Sequence, residues 1–145
     1  MRLTNRTIAL GVLILLLAAC APAPAGQNLV GTSWSLVSLD GSIQLGEAIG
    51  GQAVTLSFDA STQAGGSGGC NRFGAEYSAK AQTGAIAFSN IISTLMACIG
   101  EGIGEVEASY FEALSLADTY RVDGSRLTIA GGGHTLVFER TSEST

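Results

Sequence analysis

The residues able to do chemistry are few in this chain of 145, and their spacing limits what they could do. Cysteine stands at positions 20, 70 and 98, and histidine at 134 alone. Cys70 and Cys98 lack the Cys-x-x-Cys spacing of a dithiol centre; a disulfide, two buried reduced thiols and a redox site are the readings open to them. His134 follows Gly131, Gly132 and Gly133 in a turn-like stretch, with no nucleophile beside it, and reads as an exposed turn histidine rather than a general base. Glu101, Glu105, Glu107 and Glu112 lack the alternating oxygen ligands of a calcium loop and read as the solvated face of a helix. One histidine and scattered carboxylates make no zinc pattern. Gly65 to Gly69 invites a phosphate-loop reading, but no Lys-Ser or Lys-Thr follows and the next element is a strand, so the stretch reads as a flexible turn. Asn71 is expected to support that turn through side-chain hydrogen bonds or a left-handed conformation; ligand contact by Asn71 and Arg72 is the alternative. No catalytic residue, metal or cofactor is expected, because no nucleophile, base and orienting group come together.

The elements that would position these residues are mostly strands. In Thr32–Leu39, Trp34 and Leu36 alternate with Ser33 and Ser35; Val54, Leu56 and Phe58 alternate with Thr55, Ser57 and Asp59; Phe73, Ala75 and Tyr77 follow the same period of two. Ala85–Ser89 and Ile91–Leu95 are two further strand candidates. Thr119–Val122, Arg126–Ala130 and Thr135–Arg140 are separated by Asp123-Gly124-Ser125 and by Gly131-Gly132-Gly133, both of them turn chemistry, which predicts hairpins. From Gly104 to Ala117 the period changes: Val106, Tyr110, Leu114 and Ala117 share one helical face. Short strands with one helix interposed predict a mainly β (α+β) domain, a small curved antiparallel sheet or barrel packed on that helix. Trp34, Phe58, Phe73, Tyr77, Phe88, Tyr110, Phe111, Tyr120 and Phe138 are expected in its core, with the lining of a lipid-sized cavity as the sharper alternative.

Composition agrees with one such domain. A 46% hydrophobic share with 13% charged residues excludes a disordered polyelectrolyte, and 7 basic against 12 acidic side chains, a net charge of −5, disfavours nucleic acid as a partner. The apolar content is unevenly spread. Arg2 and Arg6 precede an uncharged run from Ile8 to Ala19, shorter than the roughly 20 residues of a membrane span and suited to an export signal. The run ends in Leu17-Ala18-Ala19-Cys20, which resembles the lipobox of bacterial lipoproteins. That resemblance implies cleavage after residue 19, acylation of Cys20 and anchoring to a membrane through palmitate-class lipid. Ala21, where an aspartate would resemble the inner-membrane retention signal, implies the outer membrane with the domain in the periplasm, or the outer face of the plasma membrane in a one-membrane organism. Residues 20–28, rich in proline and alanine, read as a tether. With Cys20 assigned to lipid, Cys70 and Cys98 are an even pair outside the cytoplasm and a disulfide becomes the leading expectation. Closing a loop of roughly 29 residues would stabilise the fold by about 3.5 kcal/mol.

The order of motifs carries a second resemblance. Gly31-Thr32-Ser33-Trp34-Ser35-Leu36 opens the domain; Gly69-Cys70-Asn71-Arg72-Phe73-Gly74-Ala75-Glu76-Tyr77 and Ser93-Thr94-Leu95-Met96-Ala97-Cys98 follow, then the glutamate-rich helix and the closing hairpins. Together they resemble the META domain, a family that includes the HslJ-like heat-shock proteins of bacteria. The match covers residues 29–140 and leaves 141–145 as a polar tail. It implies a cracked β-barrel or highly curved sheet with one helix, a setting in the cell envelope or in stress, an envelope protein or a lipid as partner, and no catalytic residues. Ala64–Gly69 is looser than the strand usual before this cysteine, which leaves the order of that stretch open.

Overall fold

A computed structural model of the protein describes residues 27–41, 43–44, 52–60 and 62–141. Strands β1 (Thr32–Leu39), β2 (Ile43–Gln44), β3 (Val54–Ala60), β4 (Gln63–Gly68), β5 (Arg72–Lys80) and β6 (Ala85–Ser93) precede helix α1 (Ile103–Ser115). Strands β7 (Thr119–Asp123), β8 (Arg126–Gly131) and β9 (His134–Arg140) complete the fold. Hydrogen-bonded neighbours run β1-β3-β4-β5-β6-β7-β8-β9, and β9 pairs back onto β1, so eight antiparallel strands close into a barrel, with β2 appended to β1. Closure leaves no long unpaired edge among these eight strands. The seam between β6 and β7 is the loosest, a single register pair, Ala85 with Thr119.

The period-two residues turn inward as their spacing requires. Trp34, Leu36, Leu56, Phe58, Tyr110, Leu114, Leu127, Ile129, Leu136 and Phe138 are 0–2% exposed, so the interior is filled by side chains from both the strands and the helix. Trp34 keeps its polar edge satisfied at this depth: its Nε1 donates to Thr32 Oγ1 at 2.7 Å, and that hydroxyl donates to the Leu29 carbonyl at 2.6 Å. Tyr110 projects from α1 between Phe73 and Phe138, and its hydroxyl donates to the Thr55 carbonyl at 3.1 Å. Full burial pushes the Tyr110 phenol above its ordinary pKa, so it remains a neutral donor. At the start of the domain the Tyr120 hydroxyl donates to the Gln27 carbonyl at 2.9 Å, fixing where the preceding chain enters.

Two expectations about the elements are corrected. Ala85–Ser89 and Ile91–Leu95 are not separate strands: one strand, β6, runs from Ala85 to Ser93 and bends at a bulge. Asn90 there takes a left-handed φ of 51°, the register with β5 shifts between Gly74 and Glu76, and the Asn90 amide donates to Glu76 Oε2 at 2.8 Å. The extra residue turns Ile92 outward, and Leu95 falls beyond the strand. The glycine-rich stretch before Cys70 is likewise not a flexible turn. Gln63–Gly68 is strand β4, paired with β3 on one side and β5 on the other. Its glycines serve close packing. A Cβ on Gly68 would lie 2.6 Å from Glu107 Oε2 and 2.9 Å from Phe111 Cζ, and one on Gly66 would collide with the Thr55 carbonyl, so side chains are excluded where the helix and β3 approach.

Candidate functional site

Where β4 turns into β5, the chain meets the segment that leaves β6 and the first turns of α1. Cys70 on the turn and Cys98 on that segment are joined in a disulfide, with Cα atoms 5.7 Å apart. The expected pairing is therefore present. Asn71, 5% exposed, is the centre of the arrangement. Its Oδ1 accepts the Thr94 hydroxyl and the Met96 N–H, both at 2.8 Å, and its Nδ2 donates to Glu107 Oε1 at 2.7 Å. The same Nδ2 lies 3.6 Å from each disulfide sulfur. One amide thus holds three segments, as a buried side chain with its donors and acceptors satisfied does.

Glu107 overturns the reading of four glutamates as a solvated face. Glu101, Glu105 and Glu112 are exposed, but Glu107 is 8% exposed and points inward. Its Oε2 accepts the Asn71 N–H at 2.6 Å and the Cys70 N–H at 3.3 Å, while Oε1 takes the Asn71 side chain. Among the described residues its partners are neutral N–H groups, with no Lys or Arg paired to it. Three such donors are enough to hold a buried carboxylate. In sequence this residue looks like its neighbours; the available signal was the three-residue step from Glu107 to Tyr110, which puts both on one helical face.

Asn71 and Arg72, taken together as a possible ligand pair, part company. Asn71 is structural, whereas Arg72 is exposed, starts β5, and lines a groove of about 590 Å³ beside Ser57, Thr55 and Ser67. His134 is also corrected: it is a half-buried residue that begins β9, not an exposed histidine within the turn. Its Nδ1 lies 2.8 Å from Asp40 Oδ2, and Asp40 Oδ1 accepts the Thr135 N–H at 2.7 Å, so the pair fastens the end of β1 to the start of β9. The Thr135 N–H, followed by the His134 side chain, holds the Asp40 carboxyl below the ordinary carboxylate range. Cys20 and the proposed signal segment lie outside the described residues, as do residues 142–145.

The end of β6 and the segment that follows it, from Ile92 to Gly102, present an apolar surface. Leu95 is 96% exposed, Ile99 92%, Ile92 73% and Met96 56%. Their backbone is tied to the barrel: the Thr94 N–H donates to the Arg72 carbonyl at 3.0 Å, Asn71 holds Thr94 and Met96, and Cys98 is joined to Cys70. A cross-linked and hydrogen-bonded base thus carries large apolar side chains that face outward.

Comparisons with known proteins agree with this architecture. The family model described as "META domain" matches residues 27–143. The fold is similar to an NMR structure of a protein from Burkholderia xenovorans, with 26% identity and a TM-score of 0.60 over 90% of this chain and 100% of that one. A second NMR structure is 24% identical, with a TM-score of 0.60 over 77% of this chain and 90% of the other. A crystal structure of a DUF4847 family protein from Bacteroides vulgatus shares the fold at 15% identity, with a TM-score of 0.57 over 80% of this chain and 96% of that one. No curated protein sequence matches significantly. With a family model spanning the whole barrel and its helix, the chain belongs to the META domain family.

Proposed function

We propose that this META-domain protein is a lipid-anchored module of the bacterial cell envelope, of the HslJ-like kind, that works by binding an envelope partner and not by catalysis. The observation that carries the binding role is the near-complete exposure of Leu95 and Ile99 on a segment immobilised by Asn71 and the disulfide. Holding apolar groups rigidly in water before contact reduces the ordering cost of association. The anchor rests on Arg2, Arg6, the uncharged run and Leu17-Ala18-Ala19-Cys20, with the domain in the periplasm on the inner face of an outer membrane. The test is made in cells. The full chain should incorporate labelled palmitate and fractionate with outer membrane, and Cys20→Ser should do neither. A photo-crosslinker at Leu95 should capture one discrete envelope protein, and a crosslinker at exposed Arg121, on β7, should not. A labelled band that persists in Cys20→Ser would overturn the anchor, and indiscriminate capture at both positions would overturn the contact surface.

A further inference from the structure

The atoms around the disulfide include more than the bond requires. One ligand-capable atom from each of Cys70, Cys98 and Glu107 lies within 4.8 Å of the others, and Cys98 Sγ is 3.9 Å from Glu107 Oε1. The three residues come from different elements: the turn after β4, the segment after β6, and α1. We propose that, when the disulfide is reduced, Cys70, Cys98 and Glu107 form a site for a thiophilic divalent cation of the zinc class, so that the same side chains secure this corner either through a sulfur–sulfur bond or through a metal.

Zinc takes thiolate at about 2.3 Å and carboxylate at about 2.0–2.2 Å, which places tetrahedral ligand atoms roughly 3.3–3.8 Å apart. Glu107 Oε1 already lies 3.9 Å from one sulfur, so closing the site asks mainly that the sulfurs separate after the bond between them breaks. Two features keep them near each other in that state. Asn71 Oδ1 retains Thr94 and Met96 without any help from sulfur, and Glu107 Oε2 retains the Cys70 and Asn71 N–H groups. Among the described residues Oε1 accepts one N–H donor, the Asn71 amide, and the oxygen has a second acceptor position, so coordination need not break the existing bond. The Asn71 Nδ2, 3.6 Å from both sulfurs, supplies the outer hydrogen bonding that orients ligands and favours thiolate. A cleft of about 220 Å³ opens beside Cys70, Cys98, Met96 and Ile99, leaving room for water as a fourth ligand. Two sulfurs in the set disfavour calcium and magnesium.

The chemistry balances simply. A dithiol reductant transfers two electrons and two protons to the disulfide, giving two thiols and its own disulfide. Metal binding then displaces the two thiol protons to solvent.

The test uses full-length Cys20→Ser chain in detergent, so that Cys70 and Cys98 are the only sulfhydryls, with cobalt(II) as probe. After reduction, one equivalent should produce a thiolate-to-cobalt charge-transfer band with tetrahedral ligand-field bands, all bleached by zinc; the oxidised chain should give none. Glu107→Gln should weaken cobalt binding at least tenfold while keeping the charge-transfer band. Should that variant not fold, X-ray absorption on the zinc-loaded, reduced Cys20→Ser chain should show two sulfur and two lighter neighbours. A reduced chain that binds cobalt no better than one with Cys70 and Cys98 both changed to serine would overturn the proposal. So would a band equally strong in urea, or four sulfur neighbours from two chains.

Discussion

Asn71 and Glu107, 36 residues apart in sequence, meet at two points: the backbone N–H of Asn71 lies 2.6 Å from Glu107 Oε2, and its side-chain amide 2.7 Å from Oε1. This pair joins the β4–β5 turn to α1, and through Asn71 Oδ1 it also holds the segment carrying Leu95 and Ile99. The disulfide spans the same junction. Covalent and hydrogen-bonded restraints therefore act on one corner of the barrel.

Glu107→Ala removes a buried acceptor and strands three donors, the Cys70 and Asn71 N–H groups and the Asn71 amide. Hydrogen bonds to a charged group contribute about 1.5–3 kcal/mol, and stranded donors add a desolvation cost. Chemical denaturation of the oxidised protein should show a loss of about 3 kcal/mol. A loss under about 1 kcal/mol would mean that water satisfies these groups.

Glycine tolerance should differ sharply along the sheet. Gly68→Ala forces a Cβ into Glu107 and Phe111 and should destabilise by about 1–3 kcal/mol. Gly74→Ala, on the neighbouring β5, meets nothing within 4 Å and should change stability by no more than about 0.5 kcal/mol. Equal effects in thermal melts of the two variants would refute the packing role assigned to Gly68.

Reduction of Cys70–Cys98, separated by 28 residues, should lower stability by roughly 3.5 kcal/mol in metal-free buffer, through the entropy restored to the unfolded chain. The barrel pairings do not pass through these residues, so far-UV circular dichroism should be retained while the denaturation midpoint falls. An unchanged midpoint would show that the bond constrains little.

The Asp40–His134 pair gives acid sensitivity of a definite sign. The folded-state pKa of Asp40 lies below its ordinary value of 3.8, so its contribution is fully present above about pH 5, shrinks as pH falls past the ordinary value and is lost as pH falls through the folded value. Asp40→Asn should therefore be less stable than the parent at pH 6, with the difference shrinking as denaturation is repeated towards pH 2. A difference that grows on acidification would contradict the assignment. The effect should be modest, because the Asp40 side chain is 37% exposed.

Leu95→Ser and Ile99→Ser should leave the folded domain within about 0.5 kcal/mol of the parent, since both side chains are almost wholly exposed. Serine at both positions should abolish crosslinking from a neighbouring exposed position, such as Ile92, while the melting profile stays unchanged. Loss of folding instead would show that these residues stabilise the domain itself.

The strands were readable wherever one face is buried and the other is wet. Trp34 with Leu36, Val54 with Leu56 and Phe58, and Leu136 with Phe138 alternate because barrel interior and solvent alternate along each strand. The helix was readable from Tyr110 and Leu114 for the corresponding reason at its own period. Strand β4 was not, because Gly65, Gly66 and Gly68 carry no side chain to show a period, and what makes them necessary is contact with β3, β5 and α1. The β6 bulge was hidden too, since one inserted residue breaks the alternation into what looks like two strands.

At the site, the sequence alone determined which residue types were present and excluded: two cysteines without a redox spacing, one histidine, and an asparagine beside a turn. It also carried the motif order by which the family is known. Only the tertiary structure decided which glutamate is buried, that His134 has Asp40 as its partner, and that Leu95 and Ile99 face water. The physical reason is that local spacing sets which face of an element a side chain occupies, whereas burial and hydrogen-bond partners depend on what distant elements place against that face. Glu105 and Glu107 lie two residues apart and so on opposite faces of one helix; the helical period puts Glu107 on the Tyr110 face, and the Cys70–Asn71 turn packed there makes it a buried acceptor while Glu105 stays in solvent.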